Sequence, residues 1–399
     1  MKKRDLYFNR LVALKDKSLI KVITGVRRCG KSSLLDLFEE YLLSVGVPQT
    51  SIVRMNFESL EFDEIREYKV LNEYITQRIS AEGKTYILLD EVQAVTEWER
   101  TINSLRLDKN LDIYITGSNS HLLSSELSTL LSGRYIEIHM LPLSFKEFLD
   151  FNDYDMQGDL QEHFNLYIER GGLPGITELK EQETAIRPYI NGIYNTIIMR
   201  DVIQRNEVRD PALMENVVRF MAGNVGNLVS SKKISDYLTS GGRKTASETI
   251  DNYLHMLEKA YVLYRTGRYD LKGKQRLKTQ GKYYIVDTGI RGELVGKRGQ
   301  DYGFVLENIV YFELLRRGFD VTIGSIAGYE VDFVATKPDK TIYYQVTATM
   351  LADETREREL RPLKAISDNY EKVVLSMDKT PLTDYDGIQN INILDFLLQ

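Results

Sequence analysis

The stretch Gly25-Val26-Arg27-Arg28-Cys29-Gly30-Lys31-Ser32 decides the fold, because it is a complete G-x-x-x-x-G-K-S. It follows the apolar run Leu19–Thr24 and precedes a helical pattern starting near Ser32, so a strand feeds a glycine loop that feeds a helix. The glycines let the backbone close around an anion, and the N–H groups from Gly25 to Ser33 converge on it. The positive end of the following helix adds to the same field. In this pattern Lys31 reaches the β- and γ-phosphates of a nucleotide, and the Ser32 hydroxyl ligates Mg²⁺. A nucleotide and Mg²⁺ are therefore the expected ligands of this loop.

Working outward, Tyr86-Ile87-Leu88-Leu89-Asp90-Glu91 sets two carboxylates after four apolar residues. A buried strand ending in acids is what the second half of such a site requires. Asp90 is expected to hold Mg²⁺ through its water shell, and Glu91 to take a proton from the attacking water. An adjacent glutamate favours hydrolysis over phosphoryl transfer to a small molecule, since a kinase must exclude water. The strand Ile113–Thr116 runs into Gly117-Ser118-Asn119. Either Ser118 or Asn119 senses the γ-phosphate, or the triplet is a plain polar turn. Arg134, in Leu131-Ser132-Gly133-Arg134, reads either as an arginine finger offered to another copy in a homo-oligomer or as a solvated side chain. Cys29 is expected to pack as a small side chain, and its modification to block nucleotide.

Composition removes whole classes. The 399 residues are 43% hydrophobic and 28% charged, as in soluble globular proteins of two or three folding units. The longest stretches without a charged residue, 41–53 and 113–125, have 13 residues each. A membrane span needs about 20 apolar residues, so no membrane partner is expected. The single cysteine allows no intrachain disulfide, and with four histidines it leaves little for a structural zinc site. Asp5, Arg10 and Lys15 interrupt the segment after the basic Lys2, Lys3 and Arg4, which argues against a secretory signal and for a cytoplasmic location. The net charge of −6 hides an asymmetry: Leu228–Lys282 holds twelve Lys/Arg against five Asp/Glu.

Short apolar runs at Leu19–Thr24, Ile52–Asn56, Tyr86–Leu89, Ile113–Thr116 and Tyr135–His139 alternate with helical stretches, so residues 1–142 read as an α/β phosphate-loop core. Helical spacing dominates 143–219, broken by Gly171-Gly172-Leu173-Pro174-Gly175. Across 220–285, helices Lys232–Leu238 and Ala246–Ala260 flank a Ser240-Gly241-Gly242 turn and precede two strands with Lys272, Lys274, Arg276 and Lys278 between them. That is the plan of a winged helix. Lys244, Thr245 and Ser247 would open the recognition helix, with Arg268 to Lys278 as the wing. Residues 230–282 thus suit either duplex DNA or a protein partner. A second α/β region occupies 286–399.

Gly25–Ser32, Asp90-Glu91, Gly117-Ser118-Asn119, Leu131–Arg134, Leu141-Pro142-Leu143-Ser144-Phe145 and Gly171-Gly172-Leu173-Pro174 together resemble a family of prokaryotic AAA+-type ATPases that join an ATPase core to a C-terminal domain of unassigned function. The resemblance covers essentially the whole chain. It implies a five-stranded P-loop NTPase core of the additional-strand type, with the sensor strand between the Lys31 and Asp90 strands, and it implies ATP and Mg²⁺ as cofactors. Residues 304–347 in turn resemble the core of the restriction-endonuclease-like fold, with Glu307 on a helix, Asp332 in Glu330-Val331-Asp332-Phe333-Val334, and a strand ending Gln345-Val346-Thr347. Active members carry (Asp/Glu)-x-Lys at that last position, where carboxylates bind Mg²⁺ and the lysine orients water. Here Gln345 is a weak ligand and Thr347 brings no charge, which implies an intact fold with an altered site. Lys340, in the turn, is a substitute that nothing in the sequence places. Asp353 to Arg361 reads as a solvated helix.

Three functions stay open on these residues. The first is an ATPase whose cycle drives a conformational switch, with association to DNA. The second is an ATP-dependent DNA nuclease acting through Asp332. The third is a nucleotide-gated scaffold that binds protein with little turnover.

Overall fold

The computed structural model describes residues 2–118, 133–296, 302–379 and 384–399. The chain divides into two compact units, Met1–Leu141 with Lys259–Tyr261, and Pro142–Glu258 with Val262–Gln399.

The first unit is built on β1 (Ile20–Thr24), β2 (Ile52–Asn56), β3 (Thr85–Asp90), β4 (Leu111–Thr116) and β5 (Tyr135–His139). They form one parallel sheet in the order β2-β3-β4-β1-β5. The β4 strand therefore separates the loop strand β1 from the acid-bearing strand β3, as the resemblance implies. Helices 68–76 and 98–105 bury Leu71, Ile75, Trp98, Ile102 and Leu105 against one face. Helix Lys31–Ser44 covers the other, where Phe38 meets Tyr114 at a ring separation of 4.6 Å. Both faces being covered, the strands are nearly continuous apolar runs. The exception in β1, Lys21, is fully buried and is tolerated because its ammonium is paired with Asp112 and also donates to the Lys17 carbonyl at 2.7 Å.

The second unit opens with helices. Ser144 and Glu147 cap helix Phe145–Phe151 reciprocally, and Asp159 caps Leu160–Arg170. Two motifs that the sequence shows far apart meet here. Gly171 ends its helix at φ +79°, and an added Cβ there would lie 2.2 Å from an Asp287 carboxylate oxygen. That carboxylate accepts from Gly172 N at 2.7 Å, while Leu143 N donates to the Gly172 carbonyl at 2.6 Å. Only glycine fits such a knot.

Next come helix Pro211–Gly223, β6 (Leu228–Val229), helices Ser231–Ser240 and Ser247–Lys259, and a long hairpin of β7 (Leu263–Asp270) and β8 (Gln275–Ile285). Strands β9 (Asp320–Ile326), β10 (Tyr329–Lys337), β11 (Lys340–Val346), β12 (Glu371–Ser376), β13 (Asp384–Tyr385) and β14 (Ile388–Asn392) complete one nine-stranded sheet, ordered β13-β14-β12-β11-β10-β9-β7-β8-β6. The hairpin joins it through parallel pairing of β7 with β9. Helix Tyr302–Arg316 packs one face, with Tyr311 against Tyr284 and Phe333. Helix Asp353–Lys364 packs the other. It is not simply solvated, since Glu359, Leu360 and Leu363 are buried. No helix among the described residues is long and apolar enough to cross a membrane.

Candidate functional site

The loop after β1 has the backbone its glycines permit. Gly25 and Gly30 stand at φ +140° and +102°, and a Cβ on Gly25 would fall 2.2 Å from the Met140 carbonyl oxygen. Arg28, at φ +67°, is exposed at the loop's crest, and Arg27 pairs with Glu58 at 3.0 Å. Cys29 is fully buried, and burial pushes its thiol pKa up, so it packs as an inert small side chain. Lys31 is buried at the helix start and folds back, donating to the carbonyls of Gly25 (3.1 Å) and Val26 (3.2 Å).

Across β4 from the loop strand, Asp90 is wholly buried at the end of β3. One carboxylate oxygen accepts from the Thr116 hydroxyl, and the other lies 3.4 Å from the Arg54 guanidinium. Glu91 turns out of the strand at φ +54°, its N–H donating to Thr116 Oγ1 at 3.0 Å. Its carboxylate stands 3.9 Å from Lys31 Nζ and accepts from Gln93 and, at 3.2 Å, from Ser118 Oγ. Lys31, Asp90, Glu91 and Ser118 therefore converge. Asn119 lies outside the described residues, as do Leu131 and Ser132. Arg134 is exposed just before β5, its carbonyl accepting from Ile20 N.

The geometry adds residues that sequence reasoning missed. Arg4, buried, donates to the Cys29 carbonyl at 3.0 Å and the Leu141 carbonyl at 2.8 Å, with its guanidinium 4.6 Å from the Tyr7 ring centre. Arg54 bridges Asp36, at 2.8 Å, and Asp90. His139 Nδ1 lies 2.9 Å from Thr24 Oγ1, and burial with the nearby Lys31 charge pushes its pKa down to about 4.

Mg²⁺ fits this donor set by chemistry. The Asp90 carboxylate and Ser32 hydroxyl would offer hard oxygen donors, too few for a protein-only cage and suited to an ion completed by phosphates and water. Among the described residues, no group of three or more His, Cys, Asp or Glu stands ready to hold a metal ion unaided.

A second cluster lies in the other unit. A cavity of about 540 Å³ is lined by Glu307, Glu330, Asp332, Gln345, Thr347 and neighbours. Asp332 sits in a β-bulge between Val331 and Val334, which re-aims its side chain. It accepts from Val346 N at 2.9 Å. Burial and the neighbouring Glu307 push its pKa up, against the pull of Lys282. Gln345 accepts from Asp332 N at 3.3 Å and donates to Glu359 at 3.1 Å. Thr347 Oγ1 donates to the Thr349 carbonyl. Lys340 does not substitute for the missing charge. It pairs with Glu371 at 3.1 Å, at a hairpin tip six residues from Val346, or about 20 Å along the strand. The cation in the cluster is Lys282 of β8, buried, with Nζ 2.8 Å from both Glu307 and Glu330 and 3.7 Å from Asp332. Burial works against its charge, but the three carboxylates outweigh burial and hold it protonated.

A parallel sheet in the additional-strand order, a glycine loop closed on Lys31 and an acidic strand end beside it are the features of a P-loop NTPase-like core of the AAA type. Residues 17–149 match a family model described as an AAA domain, and residues 161–301 match a domain of unknown function (DUF8612). The chain belongs to the family of an uncharacterized protein of Haemophilus influenzae, to which it is 42% identical over 99% of its own length and 98% of that protein's. An uncharacterized protein of Methanocaldococcus jannaschii is 30% identical over 88% of this chain and 79% of its own. Among solved structures, a Walker-type ATPase of Pyrococcus abyssi aligns with a TM-score of 0.52 at 17% identity, covering 74% of this chain and 96% of that one. That likeness is one of fold.

Proposed function

We propose that the chain binds Mg-ATP at residues 25–33 and hydrolyses it to ADP and phosphate, the cycle driving a conformational switch. The observation that carries this reading is the convergence of Lys31, Asp90 and Glu91, with Glu91 3.9 Å from Lys31 and its other carboxylate oxygen, Oε2, accepting from both Gln93 and Ser118. Lys31 exchanges its bonds to the loop carbonyls for the β- and γ-phosphate oxygens. Glu91 accepts a proton as the water oxygen bonds to the γ-phosphorus and the bridging bond to the β-phosphate breaks. Asp90 and Ser32 would hold Mg²⁺, which when bound would neutralise phosphate charge. Ser118, through its hydroxyl on Glu91, orients that base.

Lys31→Ala is expected to abolish tight nucleotide binding. Glu91→Gln is expected to bind ATP and hydrolyse it roughly 10²–10⁴-fold more slowly. Unchanged phosphate release in the Glu91 variant would refute its role.

The reading extends to the other unit in two ways. Helix, short strand, two helices and hairpin over 211–285 support a winged-helix plan, and Arg243, Lys244, Ser247, Lys272 and Lys274 are all exposed on it. These support contact with duplex DNA through residues 230–282. Phosphate release with and without duplex DNA tests it, since turnover indifferent to DNA would favour a protein partner. The order helix 302–316, antiparallel β9-β10-β11, helix 353–364 and parallel β12 supports an endonuclease-like fold for the C-terminal part.

A further inference from the structure

Carboxylates converging in an open cleft, two of them buried, are hard oxygen donors, and their mutual repulsion demands a cation. Glu307, Glu330 and Asp332 present that demand at the wall of the 540 Å³ cavity, and a side chain of the same protein meets it. The Lys282 ammonium makes ordinary 2.8 Å contacts to two of the carboxylates and lies 3.7 Å from the third, with only 4% of its side chain exposed.

The lysine is not a visitor. Its backbone is paired with Leu228 on one side and Thr266 on the other, so its Cα is anchored in the sheet beside the carboxylates. The remaining donors are also committed: the Tyr284 hydroxyl donates to Glu307 at 2.6 Å, Val346 N to Asp332, and both ends of the Gln345 amide are in use.

We propose that Lys282 is the resident cation of this cleft, its ammonium holding the place among Glu307, Glu330 and Asp332 that a divalent metal would need. The cleft then takes up no Mg²⁺ and supports no metal-dependent cleavage of nucleic acid. This rests on the endonuclease-like reading of the C-terminal part and is independent of the ATPase reading. The disagreement between that fold's implied metal and these residues is therefore electrostatic. An ammonium fixed on β8 already supplies positive charge at the centre of the donor set.

The test uses the full-length chain carrying Asp90→Asn, which removes the metal ligand at the nucleotide site. Tb³⁺ is the probe, because Tyr284 on Glu307 would sensitise its luminescence. The parent is expected to give no Tyr-sensitised signal. Lys282→Ala in the same background is expected to bind Tb³⁺ at least about a hundredfold more tightly, with the signal lost on adding Asp332→Asn. Tyr-sensitised binding by the parent that disappears with Asp332→Asn would overturn the proposal, and this arm holds even if the Lys282 variant fails to fold. A folded Lys282→Ala protein that binds no Tb³⁺ would overturn it differently, by showing that the carboxylates are no metal-ready set and that the endonuclease-like reading is at fault. Supercoiled plasmid with Mg²⁺ or Mn²⁺ supplies a second readout, with no nicking expected from the wild-type chain.

Discussion

Replacing Arg4 by alanine tests whether the phosphate loop is held from behind. The guanidinium donates at 3.0 and 2.8 Å to the carbonyls of Cys29 and Leu141, one in the loop and one just after β5, and it lies over Tyr7. Hydrogen bonds from charged donors are worth about 1.5–3 kcal/mol each. The ring contact adds about 0.5–1 kcal/mol. Allowing for partial relaxation around the truncated side chain, Arg4→Ala should lower the stability of the first unit by about 3–5 kcal/mol. Trp98 is the chain's single tryptophan and is buried in that unit's core, so its fluorescence during urea unfolding reports on this unit alone. The loop also loses an anchor at Cys29. If about 1.4 kcal/mol of that loss reaches the bound state, ATP affinity falls about tenfold. Arg4→Lys, which reaches only one carbonyl, should fall between. A midpoint shift worth less than about 0.5 kcal/mol, with ATP affinity unchanged, would refute the clamp.

Thr116→Val keeps the shape of the side chain but removes both the acceptor for Glu91 N and the donor to Asp90. Phosphate release should drop at least about tenfold while ATP binding changes little, and equal losses in both would show that Thr116 merely supports the fold. His139 stays neutral in the folded protein down to about pH 4, whereas unfolded chain protonates it below about 6.5. The unfolded state therefore binds more protons between these values, and the stability His139 contributes is lost as pH falls from about 6.5 to about 4. The loss is at most about 3 kcal/mol, trimmed by the side chain's 27% exposure. His139→Gln should flatten the Trp98 unfolding midpoint across that window. Gly171→Ala combines a φ of +79° with a Cβ 2.2 Å from Asp287. It should destabilise the second unit by roughly 2–4 kcal/mol in hydrogen-exchange protection of helix 160–170, and unaltered protection would mean the knot yields freely.

What was legible beforehand was local. The glycine loop, its strand and helix, and the Asp90-Glu91 strand end are set by neighbours within a few residues, and the structure has them within a residue or two of the expected bounds. The unexpected residues have distant partners. Arg4 meets Leu141 137 positions away, Arg54 meets Asp90 36 away, and Lys282 meets Glu307 25 away. Arg4 lies in a segment that looks like ordinary surface, Arg54 is the one charge inside the apolar strand Ile52–Asn56 with no partner visible nearby in sequence, and Lys282 lies in a basic run that reads as solvated or nucleic-acid facing. A signal for Lys282 existed nonetheless. It directly precedes the apolar run Tyr283-Tyr284-Ile285-Val286, so a strand there carries one lysine among inward-facing positions. Lys340 misled for the opposite reason, being near Gln345 in sequence yet at the far end of the hairpin.

The pairing of β7 with β9 has a consequence for any attempt to take the chain apart. Cutting between residues 285 and 286 would leave the inward edge of β7 and the facing edge of β9 bare. The exposed N–H and C=O groups around Arg268–Asp270 and Ile323–Ser325 would then be templates for foreign strands. The same cut would separate Lys282 from its carboxylates and strand like charges together. Fragments made at that point should clump or pair with one another rather than behave as two soluble modules.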